Sequence, residues 1–236
     1  MTDSPSPARP FDLQKTLWPV VTLLLAVFAL FELTNLDLWV QDHFYDFASG
    51  QWMVDAKAPL PRALFYNGPK YVIILIGLTM LTLALGPERW RKKWGLERRR
   101  LWAMFLTIGL VPAAISQTKA HTNVYCPYEI TRYGGQVPYL KVLERQSPEL
   151  KVEHCGKCWP GGHASGGFAL FALAGLWATR RSQWIGLATG MGLGWWMGGY
   201  QTLKGAHYLS HSLVTMMVAW IGFLLIQRLA RVPRGP

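Results

Sequence analysis

Two histidines near the C-terminal end of the chain, His207 and His211, lie four positions apart. On a helix this spacing places both imidazoles on one face, where they can touch. A third, His163, follows Pro160-Gly161-Gly162, whose small residues leave backbone N–H groups free at a helix start. Such a start attracts anions, because its N–H groups and its dipole both favour negative charge. Together with the amine of Lys119, these groups are typical of a phosphate site.

The elements that position these residues are long apolar runs, as is typical of a membrane protein. The 236 residues are 51% hydrophobic and include 12 tryptophans. A bilayer core needs about 20 mostly apolar residues per helix. The sequence therefore predicts an all-α bundle of about six transmembrane helices, forming a single membrane domain over residues 1–236. The six runs are Leu17 to Leu33, Tyr71 to Leu85, Leu101 to Ser116, His163 to Ala178, Trp184 to Tyr200 and Leu209 to Leu225.

Lysine and arginine lie in alternate connecting segments, which predicts one orientation by the positive-inside rule. Both termini are expected in the cytoplasm, with a tail over residues 1–15, and the segments 34–70, 117–162 and 201–208 on the outer side. We expect a bacterial inner membrane, with the site facing the periplasm or cell exterior. The basic residues that predict this orientation are Arg9, Lys15, the run Arg89 to Arg100, Arg180, Arg181, Arg228, Arg231 and Arg234.

The first outer segment mixes aromatic and acidic residues from Leu36 to Phe47, which predicts an interfacial amphipathic helix. The fifth run carries Gly186, Gly190, Gly194 and Gly198 at a spacing of four. Glycines on one helix face allow a neighbouring backbone to approach closely in lipid. We therefore expect tight helix packing along this stripe.

The formal net charge of +11 could indicate nucleic-acid binding. The basic residues, however, lie at the ends of apolar runs, where they suit anionic lipid head groups. We expect membrane lipids as partners, and no nucleic acid.

For any one histidine, an interfacial side chain satisfied by water or a carbonyl is the favoured interpretation. The predicted topology, however, brings all three histidines and Lys119 to the same membrane face. Ionisable groups are costly at membrane depth, so such a cluster indicates a functional site.

The three cysteines lie in the outer segment 117–162, where an oxidising compartment favours a disulfide. Cys126 can pair with Cys158, or Cys155 with Cys158, and the sequence leaves both pairings open. A zinc site formed by the cysteines and His154 is the alternative. A lone Cys-x2-Cys pair with scattered partners supports zinc only weakly, so we expect a disulfide and no metal.

The stretches Lys119 to Pro127, Pro160 to His163 and Gln201 to His211 resemble, in order and spacing, the three motifs of the type-2 phosphatidic acid phosphatase superfamily. The likeness covers about residues 101 to 225. In its details, including Cys126-Pro127, the chain is similar to a bacterial branch with divergent motifs.

The resemblance implies a membrane lipid phosphate phosphatase that needs no cofactor. It implies that His207 attacks phosphorus and becomes a phosphohistidine, and that His163 protonates the leaving oxygen and then activates water. Lys119 and the backbone N–H groups near Gly161 and Gly162 would hold the phosphate oxygens.

The expected substrate is a lipid monophosphate or diphosphate at the outer leaflet, because a site at head-group depth suits an amphiphile. The candidates are lipid A, an isoprenoid diphosphate carrier and phosphatidylglycerol phosphate, which the sequence does not rank. Asn35 to Asp46 more weakly resembles the opening of lipid A phosphatases.

Several positions differ from the superfamily pattern. Cys126 and Gln201 stand at the two arginine positions, which removes two bidentate phosphate ligands. Lys204 and Arg132 are the nearest candidates to replace them, and Lys204 is the better one because it lies close to His207 in sequence.

His211 stands where the superfamily pattern has an aspartate that orients the nucleophile. A neutral His211 can accept a hydrogen bond from His207 but supplies no negative charge, so a less activated nucleophile is expected.

Two other functions are compatible with the sequence. One is a phosphotransferase that passes the phosphoryl group to a second lipid. The other, motivated by the missing arginines, is a non-catalytic lipid-binding or transport protein, in which His163 and His207 should lie too far apart to flank one phosphate.

Overall fold

The structure is a computed structural model that describes residues 11–145 and 155–230. Four residues used in the sequence interpretation lie outside these ranges: Arg9, His154, Arg231 and Arg234. The described chain is mostly helical, as expected, and also contains a short antiparallel hairpin.

The helices and strands follow one another along the chain as follows. The α-helices are α1 (Leu17–Leu33), α2 (Leu36–Asp42), α3 (Pro59–Arg62), α4 (Gly68–Leu85), α5 (Glu88–Lys92), α6 (Arg98–Ala120), α7 (Gly162–Ala169), α8 (Arg180–Leu203) and α9 (Leu209–Leu229). The strands are β1 (Tyr45–Asp46) and β2 (Gln51–Trp52). A π-helical turn covers Ala63–Asn67, and 3₁₀ helices cover Leu13–Thr16, Pro127–Glu129, Thr131–Tyr133 and Leu170–Gly175.

Four helical stretches in the described residues are long and apolar enough to cross a membrane. Their outward surfaces are apolar as well: in α1, only Phe31 is buried although almost every side chain is hydrophobic. Such surfaces suit lipid rather than water. The four stretches are Leu13–Leu33, Pro59–Leu85, Arg98–Ala120 and Leu209–Leu229.

The other two expected spans differ from a simple transmembrane helix. The fourth run is α-helical only over α7 and then tightens into the 3₁₀ stretch Leu170–Gly175. Helix α8 has 24 residues, but its glycines and polar residues make it less apolar than the four spans above. The count of six spans and the cytoplasmic location of the termini stay predictions.

The glycine stripe of α8 packs directly on α7 and the 3₁₀ stretch, which confirms the expected close contact. A Cβ on Gly186 would collide with the backbone of Ala174, and a Cβ on Gly194 would collide with the ring of Phe168. Glycine is required at these positions because no side chain fits between the two helices.

The segment after α1 is more irregular than the single amphipathic helix predicted from Leu36 to Phe47. Helix α2 ends at Asp42, and β1 and β2 then pair through Tyr45–Trp52 and Asp46–Gln51. Gly50 adopts a positive φ of 69°, which permits the tight turn of this hairpin. The described fold is therefore not purely α-helical.

Because neighbouring helices run in opposite directions, three helix starts and two helix ends lie together. We call this the motif end of the bundle: α4, α7 and α9 begin here, and α6 and α8 end here. The Cys126–Cys158 disulfide and an aromatic cluster containing Tyr133 and Tyr208 cover it.

Candidate active site

Lys119 lies in the last turn of α6, over the start of α7. A Cβ placed on Gly162 would lie 3.9 Å from Cδ of Lys119. Gly161 packs on α9 instead: its N–H donates to the carbonyl of His211 at 3.3 Å, and its own carbonyl accepts from the Thr215 hydroxyl at 3.2 Å. The Pro-Gly-Gly-His turn is therefore held between α6 and α9.

His163, in the first turn of α7, lies against the ring of Tyr66, with 3.8 Å between the ring centroids. Both residues line a cavity of about 460 Å³ between α4, α6 and α7. The cavity also contains Lys119 and Lys70, and the rest of its wall is largely apolar. A phosphate attached to an apolar chain suits this combination of cations and hydrocarbon.

His207 lies in the turn between α8 and α9 and is only 4% exposed. Its Nδ1 is 3.4 Å from Nδ1 of His211 and 3.3 Å from Sγ of Cys158. Its backbone N–H donates to the carbonyl of Gln201 at 3.2 Å. Gly205 makes this tight turn possible, because it has a φ of 71° and a Cβ there would collide with Trp52.

Burial lowers the pKa of His207 well below its usual value, and the neighbouring basic groups act in the same direction. These neighbours are His211, Lys119, His163 and Lys204. The imidazole is therefore neutral at neutral pH, the form in which a ring nitrogen can attack phosphorus.

Lys204 directly follows α8 and faces two aromatic rings. Its Nζ lies 4.7 Å from the ring centroid of Tyr200 and 5.2 Å from that of Tyr66. Burial, with a smaller contribution from Arg62, lowers the pKa of Lys204. The structure thus brings Lys204 to the same end of the bundle as Lys119, His163 and His207.

Gln201 and Arg132 behave differently from Lys204. Gln201 is buried, and its side-chain nitrogen makes no hydrogen bond to any residue that the structure describes. Arg132 forms a bidentate ion pair with Asp42, with Nε–Oδ1 and Nη2–Oδ2 distances of 2.8 and 2.6 Å. Arg132 is also not among the charges that act on His207. Of the two candidate substitutes for the missing arginines, the structure therefore favours Lys204.

Cys126 and Cys158 form a disulfide, which is the first of the two pairings that the sequence allowed. Cys155 is exposed and keeps a free thiol. The two bonded sulfur atoms and a ring nitrogen of His207 all lie within 4.8 Å of one another. Because they are bonded to each other, they are not thiolate ligands for zinc.

Residues 100–232, more than half of the chain, match the family model of the PAP2 superfamily. The chain belongs to this superfamily. No curated protein and no solved structure gives a significant match. PAP2 membership confirms the resemblance found in the three motifs and supports phosphatase activity on phosphate esters. The matched region contains Lys119, His163, His207 and His211, but begins after α4.

Two site residues outside the PAP2 match were missed from the sequence. Tyr66 and Lys70 approach His163 from the segment that joins α3 to α4. Lys70 carried a usable signal in the sequence. It is a lone cation directly before the apolar run that begins at Tyr71, and this end of the run was expected at the same membrane face as the histidines. Tyr66 carried none, because its position depends on the π-helical turn.

Asp37 was also missed. Its carboxylate is buried and accepts hydrogen bonds from the Ser210 N–H, at 3.0 Å, and from the Ser210 hydroxyl. Burial raises the pKa of Asp37 to about 6, although the Ser210 hydrogen bonds oppose this shift. Ser210 precedes His211, so α2 fixes the start of the helix that carries His211. The signal in the sequence was the spacing of Asp37 and Gln41, which lie four positions apart and therefore on one face of α2. The structure buries both.

Proposed function

We propose that this PAP2 protein is a membrane phosphatase that hydrolyses a lipid phosphomonoester or diphosphate through a phosphohistidine on His207. The observation that carries the proposal is the buried, neutral His207, whose Nδ1 lies 3.4 Å from His211 and which feels the charges of Lys119 and Lys204. A neutral imidazole held at one nitrogen and surrounded by phosphate-binding cations is equipped for nucleophilic attack on phosphorus.

His211 orients this nucleophile. The His211 ring hydrogen-bonds the backbone of Cys158, and its Nδ1 faces His207. In the proposed arrangement, His211 donates to the Cys158 carbonyl through Nε2 and accepts the Nδ1 proton of His207. This leaves the Nε2 lone pair of His207 free to attack, as the aspartate of a catalytic triad does for its histidine.

The reaction proceeds in two displacements. In the first, Nε2 of His207 bonds to phosphorus, the bond from phosphorus to the lipid oxygen breaks, and His163 gives that oxygen a proton. In the second, His163 takes a proton from water, the water oxygen bonds to phosphorus, and the N–P bond breaks. Inorganic phosphate leaves, and both histidines return to their starting states.

Cations and backbone N–H groups stabilise the charge that develops on the transferred group. Lys119 and Lys204 supply positive charge, and the first turn of α7, from Gly162 onward, supplies N–H groups. The Gly161 N–H, which the sequence also assigned to the phosphate, is instead donated to the His211 carbonyl. The hydrogen bond from the Gly161 N–H to the His211 carbonyl joins the turn before His163 to the helix that follows His207. Both imidazoles therefore lie at one end of the bundle, which supports catalysis over a purely lipid-binding role.

A lipid is the proposed substrate because the cationic cavity continues into an apolar wall between two candidate spans. Lipid A, an isoprenoid diphosphate and phosphatidylglycerol phosphate are the classes to compare. We further propose that the site faces the outer side of a bacterial inner membrane, which agrees with the distribution of basic residues and with the disulfide.

The test is phosphate release by the purified protein from a panel of these lipids. His207→Ala should abolish release, whereas the matched variant His43→Ala, which removes an exposed histidine of the segment after α2, should retain it. Phosphorylated lipid product in place of free phosphate would identify a phosphotransferase. Equal rates for wild type and His207→Ala would reject the mechanism.

A further inference from the structure

Lys70 is a cation of the cavity that no motif of the superfamily supplies. It lies in the first turn of α4, ahead of the matched residues 100–232, and lines the cavity together with Lys119 and His163. Its charge acts on the His163 ring, as do the charges of Lys119 and Lys204. Lys70 and Lys119 therefore share one cavity with the His163 imidazole.

The cavity and the residues beside it together hold more positive charge than a single phosphate group requires. Lys70 and Lys119 line the cavity, and among the described residues of its lining none is a carboxylate. Arg62 adds a further charge beside Lys204 and lies 6.0 Å from the ring centroid of Tyr66. The negative charge that acts on Lys119 is that of Glu129, which lines a neighbouring cavity. The Glu129 carboxylate also accepts a hydrogen bond from the Cys126 N–H. A phosphomonoester carries a charge of about −1.5 to −2 at neutral pH, which Lys119 and Lys204 alone can balance.

The cavity is also directional. On α4, Lys70 shares a face with the apolar residues one turn further on, Ile73 and Ile74. On α6, Lys119 shares a face with residues extending back to Ile108, about 16 Å along the helix at 1.5 Å per residue. The two helices thus form a groove that is cationic at the motif end and apolar towards the middle of both candidate spans.

We propose that Lys70 binds the inner phosphate of a lipid diphosphate whose apolar chain lies in this groove between α4 and α6. The inference rests on the proposed function and narrows its substrate to a diphosphate ester. The terminal phosphate reaches buried His207, between Lys119 and Lys204. The inner phosphate stays beside Lys70 and His163, nearer the mouth of the cavity, because Lys70 is an exposed residue and His163 is half-buried.

The chemistry gives Lys70 a defined effect. Attack by His207 forms the N–P bond and breaks the bond from the terminal phosphorus to the bridging oxygen. That oxygen leaves on the inner phosphate and receives the proton that His163 donates. Negative charge builds up on the inner phosphate as the bond breaks, before the proton is transferred. A cation at this position stabilises the leaving group, an advantage that a monophosphate substrate cannot use because it has no inner phosphate.

The test compares the monophosphate and the diphosphate of one prenyl alcohol as substrates for wild type, Lys70→Gln and Lys70→Arg. Lys57→Gln is the matched control, because Lys57 is exposed in the turn before α3 and does not line the cavity. Lys70→Gln should lower kcat/KM for the diphosphate about 10- to 100-fold, the loss expected for one charged hydrogen bond. It should lower kcat/KM for the monophosphate by a clearly smaller factor, because a monophosphate has no inner phosphate for Lys70 to bind. Lys70→Arg should restore most of the diphosphate rate.

Equal losses on both substrates, or no loss on either, would overturn the assignment of Lys70 while leaving the phosphatase function intact. A wild-type protein that cleaves neither substrate would instead contradict the proposed function. In that case, binding of a non-hydrolysable methylene diphosphonate of the same alcohol decides the assignment: unchanged affinity in Lys70→Gln would reject it.

Discussion

A buried pair of imidazoles stands where the superfamily motif would place a histidine and a carboxylate. His211 can fix the tautomer of His207 but cannot contribute negative charge. The surroundings keep His207 neutral by burial, and the Cys158 carbonyl holds the second ring. In the proposed mechanism, the substitution therefore preserves the orientation of His207 and gives up part of its activation.

Asp37 is a buried carboxylate at the motif end of the bundle. It contacts Ser210, the residue before His211, rather than the histidine pair. Its pKa is raised from 3.8 to about 6 in the fold, mainly because burial disfavours the charged form. Between these two values the folded protein binds more protons at Asp37 than the unfolded chain does. The contribution of Asp37 to stability must therefore fall as the pH rises through this window.

Asp37→Asn removes this titration while keeping an oxygen that can accept the Ser210 N–H. Relative to Asp37→Asn, the wild type should lose up to about 3 kcal/mol of unfolding free energy between pH 4 and pH 7. Denaturant unfolding in detergent at several pH values measures the difference in unfolding free energy between the two proteins. The titration of His207 cancels from this difference because both proteins contain it. Asp55→Asn, at an exposed position, should follow the wild-type curve; parallel curves for wild type and Asp37→Asn would contradict the assigned pKa shift.

Helix α8 is the element that determines how closely the motif-bearing helices approach one another. Its glycine face receives the backbone of the 3₁₀ stretch at Gly186 and the ring of Phe168 at Gly194. In lipid, this contact replaces the hydrophobic driving force that would join two helices in water. The position of His163 on α7 relative to Lys204 after α8 depends on it.

Two alanine substitutions on α8 separate packing from helix propensity. Gly186→Ala should destabilise the protein by about 1–3 kcal/mol, because its Cβ meets the Ala174 backbone, which cannot rotate away. Gly192→Ala, with no atom within 4 Å of the new Cβ, should be neutral or stabilise by up to about 1 kcal/mol. Thermal unfolding in detergent compares the two; similar melting temperatures would show that the interface is looser than described.

At the scale of the whole molecule, the described parts of the segment between α6 and α7, residues 121–145 and 155–161, cover the motif end. The Cys126–Cys158 disulfide spans 32 positions and joins the first motif to the turn that opens α7. The sulfur of Cys158 also contacts His207 directly. The disulfide thus couples the stability of this segment to the position of the nucleophile.

Replacing both disulfide cysteines by serine should lower the unfolding free energy by about 2–4 kcal/mol and reduce kcat. Cys155→Ser removes the exposed thiol of the same segment and should leave stability and activity unchanged. Melting temperature and phosphate release, measured without reductant, test both. Full activity in the double-serine variant would show that the disulfide does not position His207.

The sequence by itself determined the membrane character, the superfamily and the convergence of Lys119, His163, His207 and His211 at one end of the bundle. These follow from local properties: apolar runs alternate with short connections, so each motif must lie at a helix end. The bounds of α1 agree with the apolar run predicted at about Leu17 to Leu33, and the tight packing of the α8 glycines was correctly expected.

Only the tertiary structure decided the features that depend on contacts between distant segments. The disulfide pairing, the Arg132–Asp42 ion pair and the Asp37–Ser210 contact join residues whose separation in sequence carries no information about their distance in space. Two segments also differ from the helices that their local sequence predicts: the 3₁₀ stretch after α7 and the hairpin after α2. In both, packing against neighbours outweighs intrinsic propensity. Lys70 belongs to this group: its charge was visible in the sequence, but its place beside His163 follows from how α4 packs on α6 and α7.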